Sequence, residues 1–155
     1  MRDIVIRYAS IHDHADVEAI FQEVHQLHVT LRPDCYQPRE TLLSLEEFQQ
    51  AVEEKTLLVA DWNGQVVGVL YYSERSRKVT AQMTQRILFI DCLAVTESLR
   101  SRGIGRQLLA FAREIRAQQH FDCLELQVNA QNLPARAFYE AIGFTERSIN
   151  LELLE

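Results

Sequence analysis

The sequence predicts a mixed α/β fold of the α+β kind, a single domain over residues 1–155, and three observations predict it. Segments of period two and period 3.6 follow one another in the order β-α-α-β-β-β-α-β-α-β, which suits a sheet with helices packed against it. No repeat, low-complexity tract or linker divides the chain. Its 155 residues are 47% hydrophobic and 25% charged, enough apolar side chain for a real core and too much for disorder.

Each element has its own local reason. Ile4 to Tyr8 alternates in the manner of a first strand. Ser10 and Asp13 can satisfy orphan N–H groups at a helix start, after which Val17, Ile20, Phe21, Val24, Leu27 and Leu31 recur at helical spacing until Pro33 and Pro38. Ser44 and Glu47 form a second capping box, opening a helix with Leu45, Phe48 and Val52 on one face. Thr56 to Asp61 and Gln65 to Tyr72 are β-rich runs joined by Asn63-Gly64, a pair suited to a type I′ hairpin. Residues 73–86 are polar and read as a loop or as strand extensions. Ile87 to Val95 is strongly apolar, broken only by Asp91, as expected of a buried central strand. Ile104, Leu108, Phe111, Ala112 and Ile115 then form a helical stripe, and Cys123 to Val128 a further strand. Pro134 to Ile142 is a short helix with Pro near its start and Gly143 past its end. Phe144 onward supplies the last strand.

Charge and cysteine content exclude several classes of function. A net charge of −6 disfavours nucleic acid as a partner, because phosphate neutralisation needs a basic surface. Residues 1–60 carry 11 acidic and 5 basic side chains, whereas residues 96–116 carry five arginines against Glu97 and Glu114. One short basic segment thus sits in an acidic protein. Cys35, Cys92 and Cys123 form no C-x-x-C pair, so neither a disulfide framework nor a cysteine metal site is expected. His25 and His28 lie three apart on a helix but lack a third ligand, and no metal is expected. No run approaches the ~20 apolar residues of a membrane span, and the N-terminus lacks a signal-peptide core, which places the chain in the cytoplasm.

The basic segment begins with Arg100-Ser101-Arg102-Gly103-Ile104-Gly105-Arg106, between the apolar strand ending at Val95 and the helix starting near Ile104. A helix N-terminus presents unpaired N–H groups and about half a positive charge, hence an anion site. Glycine at 103 and 105 would let a phosphate approach those N–H groups; otherwise the glycines serve only a tight turn. A dinucleotide fingerprint would need glycine where Leu108 stands, and no Gly-Lys-Ser/Thr triplet of a Walker loop occurs.

These residues resemble the GNAT superfamily of N-acetyltransferases. Its coenzyme A loop, Gln/Arg-x-x-Gly-x-Gly/Ala, is matched by Arg100 to Gly105, and its bulged central strand by Phe89 to Val95. Asn129-x-x-Asn132-x-x-Ala135-x-x-x-Tyr139-x-x-x-Gly143-Phe144 is similar to its second block. The two blocks span roughly residues 87–145. The resemblance implies a mostly antiparallel sheet splayed between two parallel strands, flanked by about four helices, with the coenzyme's pantetheine arm in the splay. It implies acetyl-CoA as co-substrate, held by the loop Arg100, Ser101, Arg102, Gly103, Ile104, Gly105 and Arg106 and by the backbone of Leu93, Ala94 and Val95. Asn132 would hydrogen-bond the coenzyme and Tyr139 would face its sulfur. The reaction implied is direct attack of a neutral amine on the thioester, without a covalent enzyme intermediate.

Tyr139 is then the expected proton donor and Asp91 the candidate base. A phenol at pKa ~10 gives its proton to a thiolate of pKa ~8.5 only at a cost of ~2 kcal/mol, so a hydrogen bond to the developing charge is its main expected contribution. Carboxylate and ammonium differ by ~6 pKa units, so Asp91 would act through a water chain or after burial had raised its pKa; alternatively it caps a bulge or binds the acceptor ammonium. The acceptor region would be the first two helices and their connection, with Glu23, His25, His28, Asp34, Tyr36 and Glu40, an acidic mouth for a small cationic amine. A protein N-terminus or lysine is the second candidate acceptor, and a non-catalytic acyl-CoA-binding module the alternative outside catalysis. A homodimer is compatible with the sequence but no feature requires one.

Overall fold

The computed structural model describes residues 3–81 and 83–155, the side chains of Val79 and Thr80 excepted. Five strands form one sheet in the order β1 (Val5–Tyr8), β2 (Leu57–Trp62), β3 (Gln65–Thr80), β4 (Met83–Val95) and β5 (Cys123–Leu126). The first three neighbouring pairs are antiparallel and β4–β5 is parallel, because the helix α3 (Ile104–Gln118) carries the chain back between them. The remaining helices are α1 (His14–Leu31), α2 (Leu45–Glu54) and α4 (Leu133–Ile142). Among the described residues, no helix is long and apolar enough to cross a membrane.

The period of two along the strands divides the core between the sheet's faces. Leu58, Ala60, Leu70 and Leu88 pack with Ile104, Leu108, Leu109, Ala112 and Ile115 of α3, whereas Leu57, Val59 and Val69 pack with Val17 and Ile20 of α1 and Phe48 and Ala51 of α2. Each buried Val, Leu, Ile or Phe side chain among them contributes about 1.5–3 kcal/mol. α4 lies on the α3 side, where Phe138, Tyr139 and Ile142 are partly buried. The expected caps form: Ser44 Oγ accepts from Glu47 N at 3.1 Å, and Asn63 and Gly64 both take positive φ in the hairpin turn.

Two expectations need correction, and one open choice is decided. Residues 73–86 are largely strand, since β3 and β4 continue through them as a long antiparallel pair. Their polar side chains are satisfied across the strands, with Arg86 paired to Glu74 and Arg77 to Glu125, so polarity there did not mean loop. β5 ends at Leu126 instead of Val128. The last strand expected from Phe144 does not form: Phe144 N donates to the Tyr139 carbonyl, and no later backbone group has a backbone partner among the described residues.

Candidate functional site

The site starts from a bulge. Tyr71 faces Cys92 and Tyr72 faces Ile90, which leaves Asp91 as the extra residue of β4. Beyond the bulge β4 still pairs with β3, but its pairing with β5 stops at Ile90 and Leu126. The two parallel strands therefore part at the C-terminal end of the sheet, the expected splay. Register decides which groups face the opening. Thr96 N donates to the Val67 carbonyl at 2.8 Å, and antiparallel pairs alternate, so the Ala94–Val69 and Cys92–Tyr71 pairs are also hydrogen-bonded. The N–H groups of Leu93 and Val95 are directed away from β3, into the gap. That of Ala94 is used by the sheet, which narrows the three-residue expectation to two donors.

At the mouth of the gap, a short 3-10 turn, Glu97–Leu99, leads into the glycine loop. Ser101 and Gly103 take left-handed φ of 62° and 82°, and Gly103 is the N-cap of α3. The first intrahelical bond runs from Gln107 N to the Gly103 carbonyl. Among the described residues, none of the N–H groups from Ser101 to Arg106 donates to another group of the protein. Six main-chain donors are thus open at a helix N-terminus, with Arg102 and Arg106 exposed beside them. Arg100 differs: its Nε donates to the Val95 carbonyl at 3.1 Å and its guanidinium lies 3.8 Å from Glu23, so it ties the loop to β4 and α1. Gly105 differs too. A Cβ there would lie 3.0 Å from Phe138, so this glycine allows α4 to pack on α3, where the sequence suggested phosphate approach.

α4 delivers the next two groups. Asn132 is its N-cap, and Oδ1 accepts from Ala135 N at 3.3 Å, which leaves the side-chain NH2 for a ligand. Two turns further, Tyr139 is half-buried, edge-on to Phe138 at 5.3 Å and Phe144 at 5.6 Å. Burial and the nearby Cys92 push its hydroxyl up to about 12. Burial and Asp91 push the Cys92 thiol up to about 12 as well. At neutral pH both hydrogens stay in place: Cys92 is a poor nucleophile and Tyr139 a firm hydrogen-bond donor.

On the other side of the sheet a cleft of about 190 Å³ is lined by Phe21, Val24, His25, His28, Leu42, Asp91 and Cys92. His25 Nε2 lies 2.7 Å from the Gln37 carbonyl, and the His28 ring stacks on Tyr36 at 5.1 Å. Burial and the charge of His25 hold His28 below the usual imidazole range, hence neutral near pH 7. Asp91 is the acid of this cleft, with Arg75 3.6 Å away. Arg75 in turn lies 3.4 Å over the Phe89 ring. The bulge thus gives one strand access to both sides: Cys92 lines the cleft and influences Tyr139.

Asp91 and the donors of Leu93 and Val95 lie on β4 around the bulge, Cys92 on the same strand acts on Tyr139, and the loop 101–106 follows the end of β4. The acidic mouth does not assemble, because Glu23 accepts from Glu97 N and Asp34 pairs with Arg32. Phe21, Val24, Leu42 and Cys92 were missed as cleft residues, and so was Arg75 as the partner of Asp91. The α1 members carried a signal, since Phe21, Val24, His25 and His28 share one helical face, but that stripe reads equally as core. Among the described residues, no cluster of three His, Cys, Asp or Glu side chains could hold a metal ion.

A model of the Acetyltransferase (GNAT) family matches residues 21–144. The chain is 27% identical over 144 residues to an uncharacterized N-acetyltransferase, YhfO, of Bacillus subtilis, covering 91% of this chain and 89% of that protein. Among solved structures, a tetramutant of the BH1408 protein of Bacillus halodurans superposes with a TM-score of 0.89 at 27% identity, covering 96% of this chain and 98% of that one. The aminoglycoside N-acetyltransferase AAC(6')-Iy, solved in complex with CoA, shares the fold with a TM-score of 0.74 at 15% identity, covering 100% of this chain and 96% of the other.

Proposed function

This chain belongs to the GNAT family of acetyltransferases and is an acetyl-CoA-dependent N-acetyltransferase, and from that premise we propose that its acceptor is the primary amine of a small cationic molecule, which attacks the thioester directly. One catalytic domain over residues 1–155 carries the reaction, in the cytoplasm. The observation that carries this reading is the set of open main-chain donors, Leu93 and Val95 in the splay and Ser101 to Arg106 at the start of α3, leading from a diphosphate position to the end of β4.

The residues fit acetyl-CoA, which supplies the activated acyl group as a thioester. N–H groups of the loop hold the diphosphate, with Arg102 and Arg106 adding attraction. The Asn132 amide steadies the arm, and the Leu93 and Val95 N–H groups polarise the carbonyl, a form of stabilisation that needs no side chain. Tyr139 donates a hydrogen bond to the leaving sulfur. With its hydroxyl near 12, full transfer to a thiolate of pKa ~8.5 lies roughly 5 kcal/mol uphill, so solvent completes that protonation. Asp91 receives the acceptor's ammonium in the cleft, in exchange for Arg75, and relays its proton to water. Holding both reactants in line supplies much of the rate.

Direct attack is favoured over an acyl-enzyme because Cys92, the thiol nearest the reaction, is held protonated. A cleft of about 190 Å³ admits an amine and a few carbons, which favours a small acceptor over a folded protein surface. The test measures free thiol released from acetyl-CoA across polyamines, amino sugars, amino acids and peptides, with wild-type protein and Cys92→Ala. Turnover on a small amine that survives Cys92→Ala is expected. Loss of turnover in Cys92→Ala with the fold intact would refute direct attack, and turnover confined to peptides would refute the acceptor class.

A further inference from the structure

We infer that the acceptor is a monoamine on a short apolar stem, gripped by a wall, residues 37–43, that α1 holds against the cleft. The inference rests on the small-amine reading above and narrows it. Asp91 is the one carboxylate of the lining; Phe21, Val24 and Leu42 offer hydrocarbon. The His28 imidazole is neutral near pH 7 and the Cys92 thiol stays protonated. One ammonium therefore finds an anion, and whatever it is attached to meets apolar or aromatic surface. A second ammonium would lose its water there without meeting a second anion.

The wall is held in an unusual way. Among the described residues, 37–43 make no backbone–backbone hydrogen bond, and side chains of α1 supply the partners instead. His25 Nε2 donates to the Gln37 carbonyl at 2.7 Å, Gln22 Nε2 to the Arg39 and Glu40 carbonyls at 3.2 Å each, and His14 Nε2 to the Leu43 carbonyl at 2.9 Å. Glu18 takes the opposite role. Its carboxylate accepts from Leu42 N at 2.7 Å, Leu43 N at 2.9 Å and Gln22 Nε2 at 3.0 Å.

Positions 14, 18, 22 and 25 follow one another along one face of the helix, so the contacts form a single row. Leu43 anchors the end of the wall in the core at 5% exposure, and its neighbour Leu42 is left half-buried at the cleft. Glu18 and Gln22 do not line the cleft; they are positioning residues that act through Leu42. A wall tied by side chains instead of a strand ladder moves when one tie is removed.

The test measures free thiol released from acetyl-CoA along the unbranched alkylamines from ethylamine to hexylamine, with putrescine and cadaverine as diamines of matched length. In the wild type, kcat/KM is expected to rise about fourfold per methylene until the cleft is filled, and each diamine to fall roughly tenfold or more below its monoamine. Gln22→Ala and Glu18→Ala shift the optimum to longer amines through KM for the amine, with KM for acetyl-CoA unchanged. Both also speed tryptic cleavage after the exposed Arg39 by roughly fivefold or more, a readout that needs no acceptor. Gln22→Ala keeps the test in force if Glu18→Ala does not fold. Diamines turned over as well as monoamines overturn the apolar stem. An unchanged chain-length optimum, or unchanged cleavage at Arg39, in folded Gln22→Ala protein overturns the wall. A wild-type enzyme that acetylates peptides and none of these amines refutes the small-amine reading instead, and cleavage at Arg39 then decides the wall alone.

Discussion

Tyr139, half-buried, and Asp13, buried, show how differently two polar residues are held. Tyr139 is surrounded by Phe138, Phe144 and a protonated thiol, so its hydroxyl has every reason to remain a donor. Tyr139→Phe is expected to lower kcat by roughly tenfold to a hundredfold with little change in KM for acetyl-CoA, as steady-state kinetics would show. Equal kcat in the two proteins would remove Tyr139 from the mechanism. Asp13 is buried, which by itself raises a carboxyl, yet the Arg7 guanidinium at 2.7 Å and the Ser10 N–H hold it below the usual carboxylate range. Its contribution to stability is present above that range and lost as pH falls. Asp13→Asn should cost about 1–3 kcal/mol in urea unfolding at pH 7, with a smaller penalty in acid.

Elements meet where glycine permits. The Cβ of an alanine at position 105 would press on Phe138 at 3.0 Å, and Phe138 precedes Tyr139 on α4. Gly105→Ala should therefore destabilise the protein by about 1–3 kcal/mol in thermal or urea unfolding and lower turnover, and Phe138→Leu in the same chain should recover part of both. α3 was legible from its stripe of Ile104, Leu108, Phe111, Ala112 and Ile115 because a one-sided helix writes its period into the sequence. The long β3–β4 pair was legible only as one of two readings, because beyond Tyr72 its polar positions hold Arg77, Arg86 and Glu74, whose partners lie across strands. The bulge at Asp91 was suggested only by resemblance, since a one-residue slip between strands leaves no mark on either strand alone. Likewise the purpose of Gly105 depends on a helix almost thirty residues away. Periodicity reports which face a residue takes; it is silent on what waits there.

Titration links these parts across the whole molecule. Burial lifts Cys92, Tyr139 and Tyr72 each to about 12, above their ordinary values near 9 and 10. A raised pKa of this kind stabilises the folded state at every pH below the unfolded value and loses that contribution as pH climbs toward the folded one. The melting temperature should accordingly fall between about pH 9 and 12, and Tyr139→Phe with Cys92→Ala should flatten that limb. A melting temperature that stays constant there would show these groups to be solvated. The open donors of Leu93 and Val95 carry a different consequence for the lineage of this protein. Peptide groups do not mutate when side chains do, so on the proposed mechanism alleles that exchange valine, leucine or cysteine along this stretch would inherit the same carbonyl grip. Only proline deletes an N–H outright. Acceptor preference can thus drift by ordinary point mutation around a chemical step that the strand itself conserves.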